Sequence, residues 1–272
     1  ENGSCTKTEA ERLLSFCNNS GPAFIFGVVG AGVFASGRIA LLLYLAHTLA
    51  SVCVGILFRF WGKSDNVAGR SLRAKPEKPL IPAFTDAIKN SVQSTLNICG
   101  FVIFFTVLIK LLFLSGAIPS LAAVLGRLLS PLGFDEAWGE RLLTGMIELS
   151  SGVWTLRGAA GRLTGSVAMA AFMLGWAGLS VHFQVMSFIG ESGLSVRTYI
   201  AGKLLQGLLS AGLILLLARA FVFELPAAAY LAEQVTGIAE FGFWRTLGLS
   251  TLGAAGALCV VLTAARRRVK KQ

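Results

Sequence analysis

The chain has 272 residues, 54% of them hydrophobic and only 14% charged. Soluble domains carry roughly a quarter charged residues, so this much apolar surface exceeds what one globular core hides, and a polytopic membrane protein is the default class. The net charge of +10 would suggest nucleic acid in a soluble chain, but the bases cluster between and after apolar runs with no stacking platform beside them; membrane topology accounts for them, and no nucleic-acid partner is expected.

The chain opens on Glu1 with ENGSCTKTEAERLL, which has no signal-peptide pattern and reads as a fragment or processed form lacking an N-terminal part. Next comes FCNNSGPAFIFG at 16–27. Its right half belongs in lipid, yet Asn18, Asn19, Ser20, Gly21 and Pro22 stop a helix. Ser20 is a good N-cap and Pro22 suits a first helical turn. One half-helix is therefore expected to end near Cys17–Asn18 and another to start at Pro22. In lipid each freed backbone group costs several kcal/mol unless protein or water satisfies it. Such a break has to be buried in protein or line a cavity, where its free N–H groups suit an anion or polar ligand.

Ile39–Phe58 is the first clear span, since twenty residues at 1.5 Å give ~30 Å, the hydrocarbon thickness. His47 within it reads as structural or as lying at a helix contact. Residues 61–79 form a basic loop with Lys63, Arg70, Arg73, Lys75 and Lys78, cytoplasmic by the positive-inside rule. In Ala83–Thr95, Phe84, Ile88 and Val92 recur every four residues, an amphipathic helix feeding the second span, Leu96–Leu114. Further spans are expected at Leu163–Val181, Thr198–Ala218 and Thr246–Ala265, with an interfacial helix at 226–236. Small residues at Gly161–Gly165 and Gly253–Ala257 suit close helix contacts. The tail at 266–272 is basic and reads as cytoplasmic. Cys5, Cys17, Cys53, Cys99 and Cys259 are scattered without a CxxC and read as packed thiols.

A second break falls at MIELSSG, Met146–Gly152. Ser150 and Ser151 can cap a new half-helix, and Glu148 sits just before them as a coupling-ion candidate. ERLLSFCNNSG (Glu11–Gly21) and ERLLTGMIELSSG (Glu140–Gly152) share an opening and then a polar break, a candidate internal repeat. Paired interruptions in corresponding halves are the best sequence pointer to a transporter's binding site; Gly and Ser breaks also serve as packing kinks. The expected substrate site therefore comprises Asn18, Asn19, Ser20, Gly21, Ser150, Ser151 and Gly152, with His182 and Gln184 bordering it. His182 reads either as a packed histidine or as a substrate or proton group. Arg157 and Arg162 could hold an anion or anchor at headgroup level.

Enzymatic readings fare poorly. Gly30-Ala-Gly32-Val-Phe-Ala35 matches a dinucleotide fingerprint only formally, because no strand precedes it. HExxH and GxSxG are missing. Two histidines and few acids do not build an ordinary metal centre. No catalytic residue, metal or cofactor is expected. The fold class is all-α, one polytopic membrane domain over 1–272 with two broken or re-entrant helical segments.

TEAERLLSFCNNSGPAFIFGVVGAGVF, ELSSG and WAGLSVHFQVMSF resemble the sporulation integral membrane proteins of the YlbJ/SpoVV type. These lie within the nucleoside-recognition, or Gate, group, related to gate segments of ferrous iron permeases and to concentrative nucleoside transporters. The resemblance runs from about residue 6 to 260. It implies further membrane helices ahead of the first stretch. It also implies a transporter in the cell membrane, at the outer forespore membrane, that passes dipicolinate during endospore formation. A small organic anion and the lipid bilayer are then the partners, with an oligomer compatible. The alternatives are a nucleoside-like or other solute, or a non-transporting membrane assembly factor for sporulation.

Overall fold

The computed structural model describes residues 5–62, 79–130, 135–159, 162–190 and 192–220, together with Leu252 and Gly256. The expected span Thr246–Ala265, the helix at 226–236, the tail at 266–272 and nearly all of the 61–79 loop lie outside the described residues. The chain divides into two units, Glu1–Glu224 and Leu225–Gln272; in the second, Leu252 and Gly256 are both helical.

Among the described residues every regular element is helical. The first helix, α1 (Lys7–Cys17), begins at a capping box in which Thr6 accepts from the Glu9 backbone N–H and Glu9 reaches back to the Thr6 N–H, satisfying two orphan donors reciprocally. It ends at Asn18, whose backbone is extended. The chain re-enters helix at Pro22, as the sequence predicts, but Phe24–Val33 is wound as a π-helix rather than an α-helix. Gly27, Gly30 and Gly32 make irregular winding cheap here. No side chain caps this element, so the cap expected from Ser20 is not made.

Helix α2 (Gly37–Phe58) starts at Ser36, whose hydroxyl accepts from the Ile39 N–H. The amphipathic stretch and the second expected span are one continuous helix, α3 (Leu80–Leu114). Its 35 residues extend over ~50 Å at 1.5 Å each, well beyond the ~30 Å hydrocarbon layer. Then come α4 (Ala117–Leu129), α5 (Glu136–Ile147), α6 (Leu149–Trp154), α7 (Leu163–Trp176), α8 (Gly178–Ile189) and α9 (Val196–Ala220). The third expected span, Leu163–Val181, is thus broken inside its predicted range. Ala177 and Gly178 both take left-handed backbone, at φ +73° and +81°, ending α7 and starting α8.

Four segments among the described residues are long and apolar enough to cross a membrane: Gly37–Phe58, Leu80–Leu114, Leu163–Ile189 and Val196–Ala218. On α2 the two faces separate cleanly. Leu41, Leu45, Leu49, Val52 and Ile56 are exposed, while Ile39, Leu43, Ala46, His47, Ala50, Ser51 and Val54 are buried. Water would penalise such an outer stripe and lipid would not. Helix α9 packs on α1, α2 and α7 and forms the hub. A Cβ on Gly175 would lie 2.5 Å from Gly207 Cα, and one on Gly202 would lie 2.5 Å from the Ser15 carbonyl. Small residues thus let these backbones approach closely, as packing in lipid requires. The cysteines depart from expectation: Cys5, Cys17, Cys53 and Cys99 are free and exposed rather than packed, and Cys259 lies outside the described residues. In a chain with an apolar exterior, a thiol on the outer face of α2 or α3 needs no core position to leave water.

Candidate functional site

The first break is gripped from one side by α9. Its residues Tyr199, Lys203, Gln206 and Ser210 fall at i, i+4, i+7 and i+11, one face of a helix, and all four are fully buried. The Lys203 ammonium donates to the Asn18 carbonyl and to Gln206 Oε1, each at 2.8 Å. Gln206 Nε2 donates to Asn19 Oδ1 at 2.7 Å and more weakly to the His47 carbonyl at 3.4 Å. Asn18 Nδ2 donates to the Tyr199 hydroxyl at 3.0 Å. Asn19 Nδ2 donates to the Phe16 carbonyl and to Ser51 Oγ. The freed C-terminal carbonyls of α1 are therefore satisfied by side chains from α2 and α9. The other side of the break is open. Asn18 and Ser20 are half-buried, Asn19 and Gly21 are exposed, and a Cβ on Gly21 would meet nothing within 4 Å.

The second break is closed by its own acid. Glu148, 1% exposed, has extended backbone and caps α6, its two carboxylate oxygens accepting from the Ser150 and Ser151 N–H groups at 2.9 and 2.6 Å. This corrects the expected capping by Ser150 and Ser151, which contribute backbone donors instead. A carboxylate outcompetes a hydroxyl for such donors because the bond is charge-assisted and aligned with the helix dipole. The Ser151 hydroxyl faces Thr106 at 3.4 Å. Gly152 is buried against Gly145. Both breaks follow an ERLL helix and begin with one extended residue, Asn18 or Glu148, so the repeated sequence carries a repeated local structure.

His182 connects the two breaks. Its Nδ1 lies 3.2 Å from the Tyr199 hydroxyl, and its ring meets Trp176 edge to face at 4.4 Å. The Trp176 indole N–H donates to the Met146 carbonyl at 3.0 Å, at the end of α5. The chiral break between α7 and α8 makes this reach feasible. A Cβ on Gly178 would lie 3.0 Å from Leu149 N, so only glycine lets α8 begin against the second break. Gln184 is also buried, but two residues along α8 turn it about 200° from His182. Arg157 stacks its guanidinium over exposed Trp154 at 5.2 Å, and Arg162 is exposed.

Sequence reasoning thus named Asn18, Asn19 and His182, which the structure brings into one network, but missed Tyr199, Lys203 and Gln206. The signal was present as the polar face of an otherwise apolar span. Among the described residues no group of three His, Cys, Asp or Glu could hold a metal.

Buried polar cores inside apolar-surfaced helices define a polytopic α-helical integral membrane protein. The sequence is 30% identical over 230 residues to the sporulation integral membrane protein YlbJ of Bacillus subtilis, a match covering 78% of this chain and 56% of that protein. The chain belongs to the YlbJ-type family. It spans little more than half the length of that relative. No family model matches it, and no solved structure matches it.

Proposed function

We propose that the chain forms the solute-binding part of a transporter for a small organic anion, and that the anion is dipicolinate, passed across the outer forespore membrane during endospore formation. The carrying observation is Lys203. It is fully buried at the broken helix, and among the described residues its ammonium meets a carbonyl and an amide oxygen but no carboxylate. A cation in a low-dielectric bundle without a counter-charge is costly, and an arriving anion supplies that counter-charge. The open side of the Asn18–Gly21 break offers a way in. Glu148 is assigned to a coupling cation or proton: each of its oxygens spends one lone pair on a backbone N–H and keeps another. The role is passage of solute, not catalysis.

The test is uptake of labelled dipicolinate by lipid vesicles holding the purified protein. Wild type should accumulate it, Lys203→Met should lose uptake, and Lys203→Arg should retain part of it. Wild-type vesicles that carry a nucleoside but no dipicolinate would move the assignment to that solute. Vesicles that carry neither would leave the assembly-factor reading.

A further inference from the structure

Several buried donors in and beside this network have no acceptor among the described residues. Asn18 Nδ2 has only protons to offer the Tyr199 oxygen, so the Tyr199 proton is free for His182 Nδ1. A neutral imidazole that accepts at Nδ1 carries its proton on Nε2. That Nε2 is buried and has no partner among the described residues, on a side chain 1% exposed. Lys203 has three N–H bonds, of which two are placed. His47, 2% exposed, has no partner at either ring nitrogen among the described residues, and one of those nitrogens bears a proton in any state. The side-chain oxygens of Asn19 and Gln206 and the carbonyls of Phe16, Asn18 and His47 are already engaged. A buried donor left without an acceptor is expensive, and His182, hydrogen-bonded to Tyr199 one helical turn from Lys203, carries one.

The complement is a compact group with a full negative charge and several lone pairs. We propose that Asn18, Tyr199, His182 and Lys203 form a carboxylate-binding site. The Lys203 ammonium supplies the charge, the His182 Nε2–H supplies the directed hydrogen bond, and Tyr199 is a positioning residue that fixes the tautomer. The inference deepens the transport reading and rests on it for the sign of the ligand. It adds the ligand's recognised group and three residues beyond Lys203.

The experiment is equilibrium dialysis of labelled dipicolinate against the full chain in nanodiscs, with competition by benzoate, inorganic phosphate and neutral pyridine-2,6-dimethanol. Benzoate should compete, while phosphate and the diol should not. His182→Leu should weaken binding about 10- to 100-fold, the range for loss of a hydrogen bond to a charged group. His182→Gln should recover most of that loss, because its amide N–H takes the place of Nε2–H. Tyr199→Phe should weaken binding less than His182→Leu, with an unchanged gel-filtration profile. Wild-type binding by His182→Leu, or equal competition by the diol or phosphate, overturns the site. Binding without vesicle uptake sinks the transport reading and leaves the site standing; uptake undiminished in His182→Leu does the reverse.

Discussion

Glu148 shows how one residue can be both a structural cap and a functional candidate. Its carboxylate closes the N-terminus of a six-residue helix, which on its own propensity would be marginal. Glu148→Gln keeps one acceptor oxygen but turns an amide N–H₂ toward the second backbone donor. The bonds also lose their charge assistance, a change of about 1–2 kcal/mol. The variant should show a lowered thermal unfolding midpoint in detergent. If Glu148 carries the coupling ion, its dipicolinate uptake should also stop responding to an imposed pH or cation gradient. Uptake that keeps the wild-type gradient response would confine Glu148 to capping. The residues of the first break differ in kind. Asn18 and Asn19 spend their amides on Tyr199, Phe16 and Ser51, so they hold the unwound turn together while α9 approaches it.

At the level of elements, the molecule is organised by interruptions. Helix α1 stops at Asn18, α5 at Glu148 and α7 at Ala177, and the last two meet where Gly178 abuts Leu149 and Glu148. Ala177 pays for this geometry with a left-handed backbone that costs an L-residue about 1–2 kcal/mol. Ala177→Gly should therefore raise the unfolding midpoint, by an amount corresponding to up to ~1 kcal/mol once glycine's extra chain entropy is deducted. A lower midpoint would mean that the Ala177 methyl, itself buried, contributes more packing than its backbone costs. Helix α9 shows the converse principle. Its four polar side chains share one stripe, so a span of high mean hydropathy can pack against lipid on one side and hold a lysine on the other.

At the scale of the molecule, the described helices carry large apolar side chains on their outside and bury a polar cluster within an otherwise apolar core, unlike a soluble domain. Helix α3 makes the consequence measurable. Only its last nineteen residues or so fit a ~30 Å hydrocarbon layer, so its first half, with Asp86 and Lys89, projects past the bilayer core. After replacement of the native cysteines, Lys89→Cys should react with a membrane-impermeant maleimide, while Phe104→Cys, exposed on the second half, should be protected until detergent is added. Equal labelling of both would mean that α3 does not cross the bilayer along the Leu96–Leu114 stretch.

Composition and period by themselves determined the membrane class, the spans Gly37–Phe58 and Val196–Ala218 to within two residues, and the two polar breaks at Asn18 and Glu148. Each of these is written locally: hydropathy over twenty residues, or a run of Asn, Ser, Gly and Pro that no helix absorbs. Other features were decided only when distant segments met. The π-winding of Phe24–Val33, the turn at Ala177–Gly178 and the exposed cysteines follow from close backbone contacts and from which face lies outward. Hydropathy cannot distinguish a lipid-facing apolar surface from a protein-facing one. The partners of Lys203 were beyond local reading for the same reason. Its spacing from Tyr199 and Gln206 marked a face of α9, but only the packing of α9 on α1 and α2 turned that face toward Asn18 and Asn19, 185 and 187 positions away from their α9 partners Lys203 and Gln206, because burial in a bundle is a property of the assembled helices and not of any one of them.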